Sequence, residues 1–160
     1  MNFEAKKTAL RMMSHGLYLL SVECEGRYNV STISWLSQAS FAPPLVMMGM
    51  KGDTLTHTMV EQSGQFAINM LAVNQTDMAQ AFFKHAEHNA DKLSGYVFEP
   101  GPVTGAPLLL DAPAWFECKI TAVVKHGDHT VVVAEVVEAG VRDPDAKPMA
   151  LRDTAWHYGG

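Results

Sequence analysis

The segment from Ala114 to Ala139 limits the fold of this chain more than any other. Two long runs, Ala114 to Lys125 and His129 to Ala139, are joined by Gly127-Asp128, a pair suited to the tight turn of an antiparallel hairpin. In the first run Phe116, Cys118, Ile120 and Ala122 alternate with Glu117, Lys119 and Thr121, which predicts one covered face and one wet face. The second run is apolar on both faces, since only Glu135 interrupts Val131 to Val137. Such a strand needs cover on each side, from a closed barrel on one and from a further body, such as a second subunit, on the other.

The remaining chain reads mainly as strands. Leu17 to Val22 and Tyr28 to Trp35 are rich in strand formers, with Gly26 turning the chain between them, and Pro43-Pro44 breaks it before the strand Leu45 to Met50. In Thr54 to Gln62 the apolar residues Leu55, Met59 and Val60 share a helical face that Ser63-Gly64 terminates. Gln65 to Leu71 returns to strand. A second helix follows, with Asn74 or Thr76 as its cap and Met78, Ala79, Phe82 and Phe83 on one face. Lys84 to Pro107 reads as a long surface excursion carrying one weak strand near Tyr96 to Phe98. The pattern predicts a mainly β chain with two or three short helices, a small antiparallel barrel.

At 160 residues, 48% apolar and 18% charged, the chain suits one globular domain over residues 1–160. With 12 basic against 17 acidic residues and no basic cluster longer than Lys6-Lys7, nucleic acid is disfavoured as a partner. Leu17 to Val22 is cut by Ser21 and closed by Glu23, which supports neither a signal peptide nor a membrane span. Cys24 and Cys118 form no disulfide framework, and a reducing cytoplasm fits them.

Few residues announce chemistry. The seven histidines include His85/His88 and His126/His129, but neither pair has the face-sharing geometry of a metal site, so no metal is expected. A nucleophile elbow, a Walker loop and a dinucleotide fingerprint are all absent. Lys51-Gly52-Asp53-Thr54 offers a cation, a hydroxyl and free amides at a helix start; it either binds an anion or simply lets Thr54 cap the helix. Asn29 to Ser40 carries more hydroxyls than a core strand needs.

The run Asn29 to Leu45, containing Ser34-Trp35-Leu36-Ser37-Gln38-Ala39-Ser40-Phe41-Ala42-Pro43-Pro44, resembles the flavin reductase-like family of FMN-binding split barrels. Ser63 to Leu71 with Gln75, Gly105-Ala106-Pro107-Leu108, Glu117-Cys118 and Gly127-Asp128-His129 agree in order and spacing. The Phe83-Lys84 pair and His157-Tyr158 are most similar to the branch of flavoredoxins and of reductases that accompany rubredoxins or flavodiiron proteins. The resemblance implies a Greek-key split barrel that dimerises and holds FMN, or FAD, near the subunit interface.

By that resemblance, the backbone amides and side chains of Asn29, Val30, Ser31 and Thr32 face the flavin's pyrimidine edge, Ser34 and Trp35 lie along the cofactor, and Lys51 and Thr54, with Thr56 as a further candidate, hold the ribityl phosphate. His129 and His157 match positions near the flavin and nicotinamide, with a structural role equally open. Asp53 departs from the family's serine and would oppose a phosphate unless it turns away; Ala134 stands where many members carry glycine. The implied activity is hydride transfer from NADH or NADPH to flavin. Alternatives are an FMN electron carrier between protein partners and a barrel that has lost its catalytic role. A rubredoxin, a flavodiiron protein or a monooxygenase is the implied partner.

Overall fold

The computed structural model describes residues 1–160. A helix α1 (Phe3–Arg11) precedes β1 (Tyr18–Cys24), β2 (Arg27–Ile33), β3 (Leu36–Ser40) and β4 (Leu45–Lys51). Helix α2 (Leu55–Ser63) leads into β5 (Gln65–Met70) and α3 (Thr76–Ala81). Short strands β6 (His88–Asn89), β7 (Lys92–Leu93), β8 (Tyr96–Pro100) and β9 (Pro107–Leu109) come before the long hairpin of β10 (Ala114–Lys125) and β11 (His129–Val141).

Seven strands form one antiparallel sheet in the order β2-β1-β5-β10-β11-β4-β3, and β6 to β9 form a second. Leu20 and Val22 from one end of the large sheet meet Val46, Met48 and Met50 from the other in a single buried cluster, together with Met59 and Val60 of α2. The sheet is therefore curled into a barrel, split between its edge strands β2 and β3. The opposite face of β1 and β2 is covered as well, because Leu17, Leu19 and Val30 pack with Met78, Phe82, Leu93 and Leu109.

Local signals explain most boundaries. Thr54 caps α2 by accepting from the His57 amide at 3.2 Å, and Gly64, at φ 69°, ends it with its amide on the Val60 carbonyl at 2.9 Å. After β11 the chain returns alongside β1, where the Leu17 amide donates to the Met149 carbonyl at 3.1 Å, and a 3-10 turn at Leu151–Asp153 follows. That return delivers the C-terminal residues to the open side of the barrel.

Several expectations change. Helix α1 was not expected; it starts where Asn2 Oδ1 accepts from the Ala5 amide at 3.0 Å, and none of its residues is buried. Neither Asn74 nor Thr76 caps α3. Gln75 occupies the cap position, its Oε1 accepting from the Ala72 amide and its Nε2 donating to the Asp111 carbonyl. The excursion after Lys84 holds β6 to β9 rather than one strand. Glu117, expected on a wet face, is fully buried, and a register shift at Glu117/Cys118 interrupts the simple alternation of β10. In β11, Thr130, Val132 and Ala134 are buried, whereas Val131 and Val137 are 42% and 36% exposed, so this chain covers only one of its apolar faces.

Candidate functional site

Where β2 ends, the link Ser34-Trp35 carries the chain to β3, and it lies beside the ends of β4 and α3. These elements, the start of α2 and the C-terminal tail enclose a cleft of about 580 Å³. Its walls are flat and apolar, provided by Leu17, Trp35, Phe82, Phe83 and Trp156. A polar side combines Ser31, Thr32, Ser34, Thr54 and Thr56 with one cation, Lys51.

The polar groups are held by their own network. Thr56 Oγ1 accepts from Asn29 Nδ2 at 2.8 Å and shares a short hydrogen bond with Ser31 Oγ. Thr32 donates through its hydroxyl to the Ala79 carbonyl at 2.6 Å and through its amide to the Phe82 carbonyl at 3.2 Å, which fixes the end of α3 against the cleft. Lys51 Nζ stands 3.5 Å from Asp53 Oδ1, both side chains being largely exposed, so the acid does not turn away from the loop but competes with an anion for the lysine. The Gly52 amide donates to the Asp128 carbonyl at 3.0 Å, which joins this loop to the hairpin turn before β11.

Trp35 is packed from several sides. A Cβ at Gly49 would come within 3.0 Å of its Cε3, and one at Gly159, whose φ is 93°, within 3.0 Å of its Cζ2. The His129 ring stacks on it at 4.5 Å, and Tyr158 meets it edge-on at 5.2 Å. His129 Nδ1 lies 2.8 Å from Asp128 Oδ1 and its Nε2 lies 2.7 Å from the Tyr158 hydroxyl. A carboxylate can only accept, so Nδ1 carries a proton, and in the neutral ring Nε2 then accepts from the tyrosine. The hydrogen bond from His129 holds the Asp128 carboxyl below its usual range, while burial raises the Tyr158 hydroxyl.

Of the residues singled out from sequence, Ser31, Thr32, Ser34, Trp35, Lys51, Thr54, Thr56 and His157 line the cleft. Asn29 and Val30 do not: Asn29 is 2% exposed, with its side-chain oxygen taken by the Ala86 amide, and Val30 lies in the core behind β2. Strand alternation sends Val30 inward and Ser31 outward. His129 stands behind Trp35 rather than on the cleft wall. The sequence reading did not place Leu17, Gly49, Met50, Leu151 or Trp156 at the site. Its one local cue was the aromatic run Trp156-His157-Tyr158 just before two glycines.

An apolar slot with hydroxyls along one side suits a planar heteroaromatic ring with polar edges. Lys51 and the N-terminus of α2 suit a phosphate attached to it. The donor set therefore fits a flavin mononucleotide.

Comparison with known proteins leads to the same class of cofactor. The sequence profile of the flavin reductase like domain matches residues 10–159. A NADH:riboflavin 5'-phosphate oxidoreductase of Streptomyces pristinaespiralis is 34% identical over 130 residues, 81% of this chain and 72% of that protein. The NADH-dependent flavin reductase StyB of Pseudomonas fluorescens is 29% identical over 94% of this chain and 86% of its own length. Among solved structures, the styrene monooxygenase flavin reductase of Pseudomonas putida S12 superposes with a TM-score of 0.75 at 28% identity, covering 94% of this chain and 91% of that one.

Proposed function

The chain belongs to the flavin reductase-like family, and from that premise we propose that it is an NADH- or NADPH-dependent flavin reductase acting on FMN held in the cleft, with FAD as a second flavin. One observation carries the reading: Lys51 and the start of α2 stand on the same cleft as the Ser31-to-Trp35 hydroxyls and a clamped indole. Hydride acceptance from a reduced nicotinamide is the chemistry that bound flavin supplies. Lys51 neutralises the phosphate, and the amides opening α2 add donors. Ser31, Thr32 and Ser34 orient the polar ring edge. Trp35 provides a flat face held in place by Gly49, Gly159 and His129. Thr56 positions Ser31, and His157 borders the nicotinamide side. His129 acts on the cleft through Trp35 and Tyr158 and is a positioning residue.

A second reading, an FMN carrier serving protein partners, is favoured by the tail, since Trp156 and Tyr158 close one side of the cleft and would retain a bound flavin. The first test is the visible spectrum of purified protein, followed without oxygen after NADH and then NADPH. Flavin bands that bleach within seconds support the reductase and identify the donor. Bands that persist support the carrier, and no flavin uptake removes both. Lys51→Ala weakens FMN binding about tenfold, from loss of one charge-assisted contact; equal dissociation constants would end the phosphate assignment.

The exposed Val131 and Val137 of β11, with Val124 of β10 paired opposite Val131, support a homodimer as the missing cover for that face. Light scattering of Val131→Glu against wild type tests it. The likeness to the styrene monooxygenase flavin reductase supports a monooxygenase as flavin acceptor; a rubredoxin or a flavodiiron protein is the other class. Both cysteines are free and buried, which supports the cytoplasm, and no helix is long and apolar enough to cross a membrane.

A further inference from the structure

A second cavity, of about 390 Å³, adjoins the cleft and shares Leu151, Trp156, His157 and Tyr158 with it. Its charged and titratable lining is Arg11, His15, Arg152, His157 and Tyr158, with no carboxylate among the lining residues. The nearest acid along the chain, Asp153, is engaged by the Ala150 amide at 2.9 Å. Arg11 donates through Nε to the Gly159 carbonyl at 3.1 Å, which leaves its terminal nitrogens without a protein acceptor. Arg152 makes neither a hydrogen bond nor an ion pair, in contrast to Arg142, whose guanidinium is paired with Glu99 at 2.7 Å. The His15 ring lies 6.4 Å from that of Trp35, so one wall residue of each space is a near neighbour of the other.

In a chain of net charge -5, two guanidinium groups facing one cavity without a carboxylate form a local site for an anion. Guanidinium forks match pairs of phosphate oxygens. A mononucleotide seated in the cleft with its phosphate at Lys51 has nothing to place there. A ligand that fills both spaces has a heteroaromatic ring at one end and a diphosphate toward the other.

We propose that this second cavity binds the diphosphate of a dinucleotide whose ring enters the cleft, with Arg152 and Arg11 as the residues that distinguish dinucleotides from mononucleotides. The inference rests on the flavin reductase reading and names a ligand class for the neighbouring cavity. Of the dinucleotides this chemistry uses, the nicotinamide donor fits, because FAD bears its diphosphate on the same ribityl oxygen as FMN and so begins it at Lys51.

The test begins with ADP-ribose, which carries the diphosphate without nicotinamide or flavin, titrated by calorimetry into wild type, R152Q and R11Q, with and without FMN. Wild type is expected to bind it, each variant roughly tenfold more weakly. The FMN dissociation constant of R152Q stays within about twofold of wild type, which shows a folded cleft. R152Q raises the KM for NADH but not for reduced nicotinamide mononucleotide, and leaves FAD and FMN affinity alike within about twofold. Equal ADP-ribose affinity in all three proteins, or a weakening without a raised KM for NADH, overturns the proposal. A wild type that binds no flavin, yet binds ADP-ribose through Arg152, removes the flavin reading and leaves the diphosphate cavity standing.

Discussion

Tyr158, near the end of the chain, is hydrogen-bonded at 2.7 Å to Nε2 of His129, the first residue of β11. The bond ties the tail to the hairpin turn and brings two rings against Trp35 from residues almost thirty positions apart in sequence. Removing the hydroxyl in Tyr158→Phe keeps the ring packing and deletes the bond. One such bond contributes about 1 kcal/mol, so FMN binding weakens about fivefold while the melting temperature changes by no more than about 2 °C. Fluorescence titration with FMN and a thermal scan check this.

Asp53 faces Lys51 at 3.5 Å on the exposed rim of the cleft. Pairs of this kind are worth about 0–1 kcal/mol, yet the carboxylate also repels an incoming phosphate. Asp53→Asn therefore tightens FMN binding by about two- to fivefold, the opposite sign to Lys51→Ala. The difference shrinks as salt is raised, which parallel titrations at low and high ionic strength will show.

Glu117 accepts hydrogen bonds from the amides of Val103 and Thr104 and from the Thr104 hydroxyl at 2.6 Å. A Cβ at Gly101 would overlap its carboxylate, so this turn is built around the charge. Glu117→Ala strands those buried donors and costs about 3 kcal/mol, and Thr104→Val about 1–2 kcal/mol. Urea unfolding midpoints should fall in that order, with FMN affinity of the folded fraction unchanged.

Burial, with the neighbouring Glu117 charge acting in the same direction, pushes the Cys118 thiol up to about 12. An unfolded chain loses this proton near pH 8.5 to 9, whereas the folded chain keeps it. The stabilisation is present below that range and declines as pH rises from about 9 toward 12, by up to about 1.4 kcal/mol per pH unit. Cys118→Ala removes this part of the slope. Unfolding of both proteins at pH 8 and pH 10 measures it, and iodoacetamide at pH 8 should leave native Cys118 unmodified.

Gly49→Ala puts a methyl group 3.0 Å from the Trp35 ring. The strand backbone is fixed by pairing with β11, so the indole must yield. FMN binding should drop at least fivefold, roughly the effect of about 1 kcal/mol of misfit. A shift in tryptophan emission without loss of strand circular dichroism would locate the change at the indole.

Helix α2 and the β10/β11 hairpin were readable because their signals are local. Thr54, Gly64 and Gly127-Asp128 act on neighbours within a few residues, and backbone sterics fix what they do. The hydroxyl-rich run after Asn29 was also readable as an oddity, and the edge strand β3 with its link Ser34-Trp35 explains it. Glu117 was misread because alternation counts faces and cannot see that residues 101–106 fold over one of them to supply donors. Helix α1 escaped notice because it is polar overall, and its apolar residues Phe3 and Leu10, two turns apart, stay exposed and pack into no core.

The sequence by itself determined the strand-rich barrel, the capped helix after the Lys51 loop and the cleft's hydroxyls, since each depends on periodicity or on chemistry between close neighbours. Only the tertiary structure decided that Asn29, on the same strand face as Ser31, is covered by Thr56 and the Ala86 amide while Ser31 reaches the cleft. It alone placed His129 behind Trp35 and joined Arg11 to Arg152 across one cavity. Those relationships come from strand register and from the return of the chain after β11 past β1. Contacts between distant segments are set by how surfaces pack, and no local pattern records them.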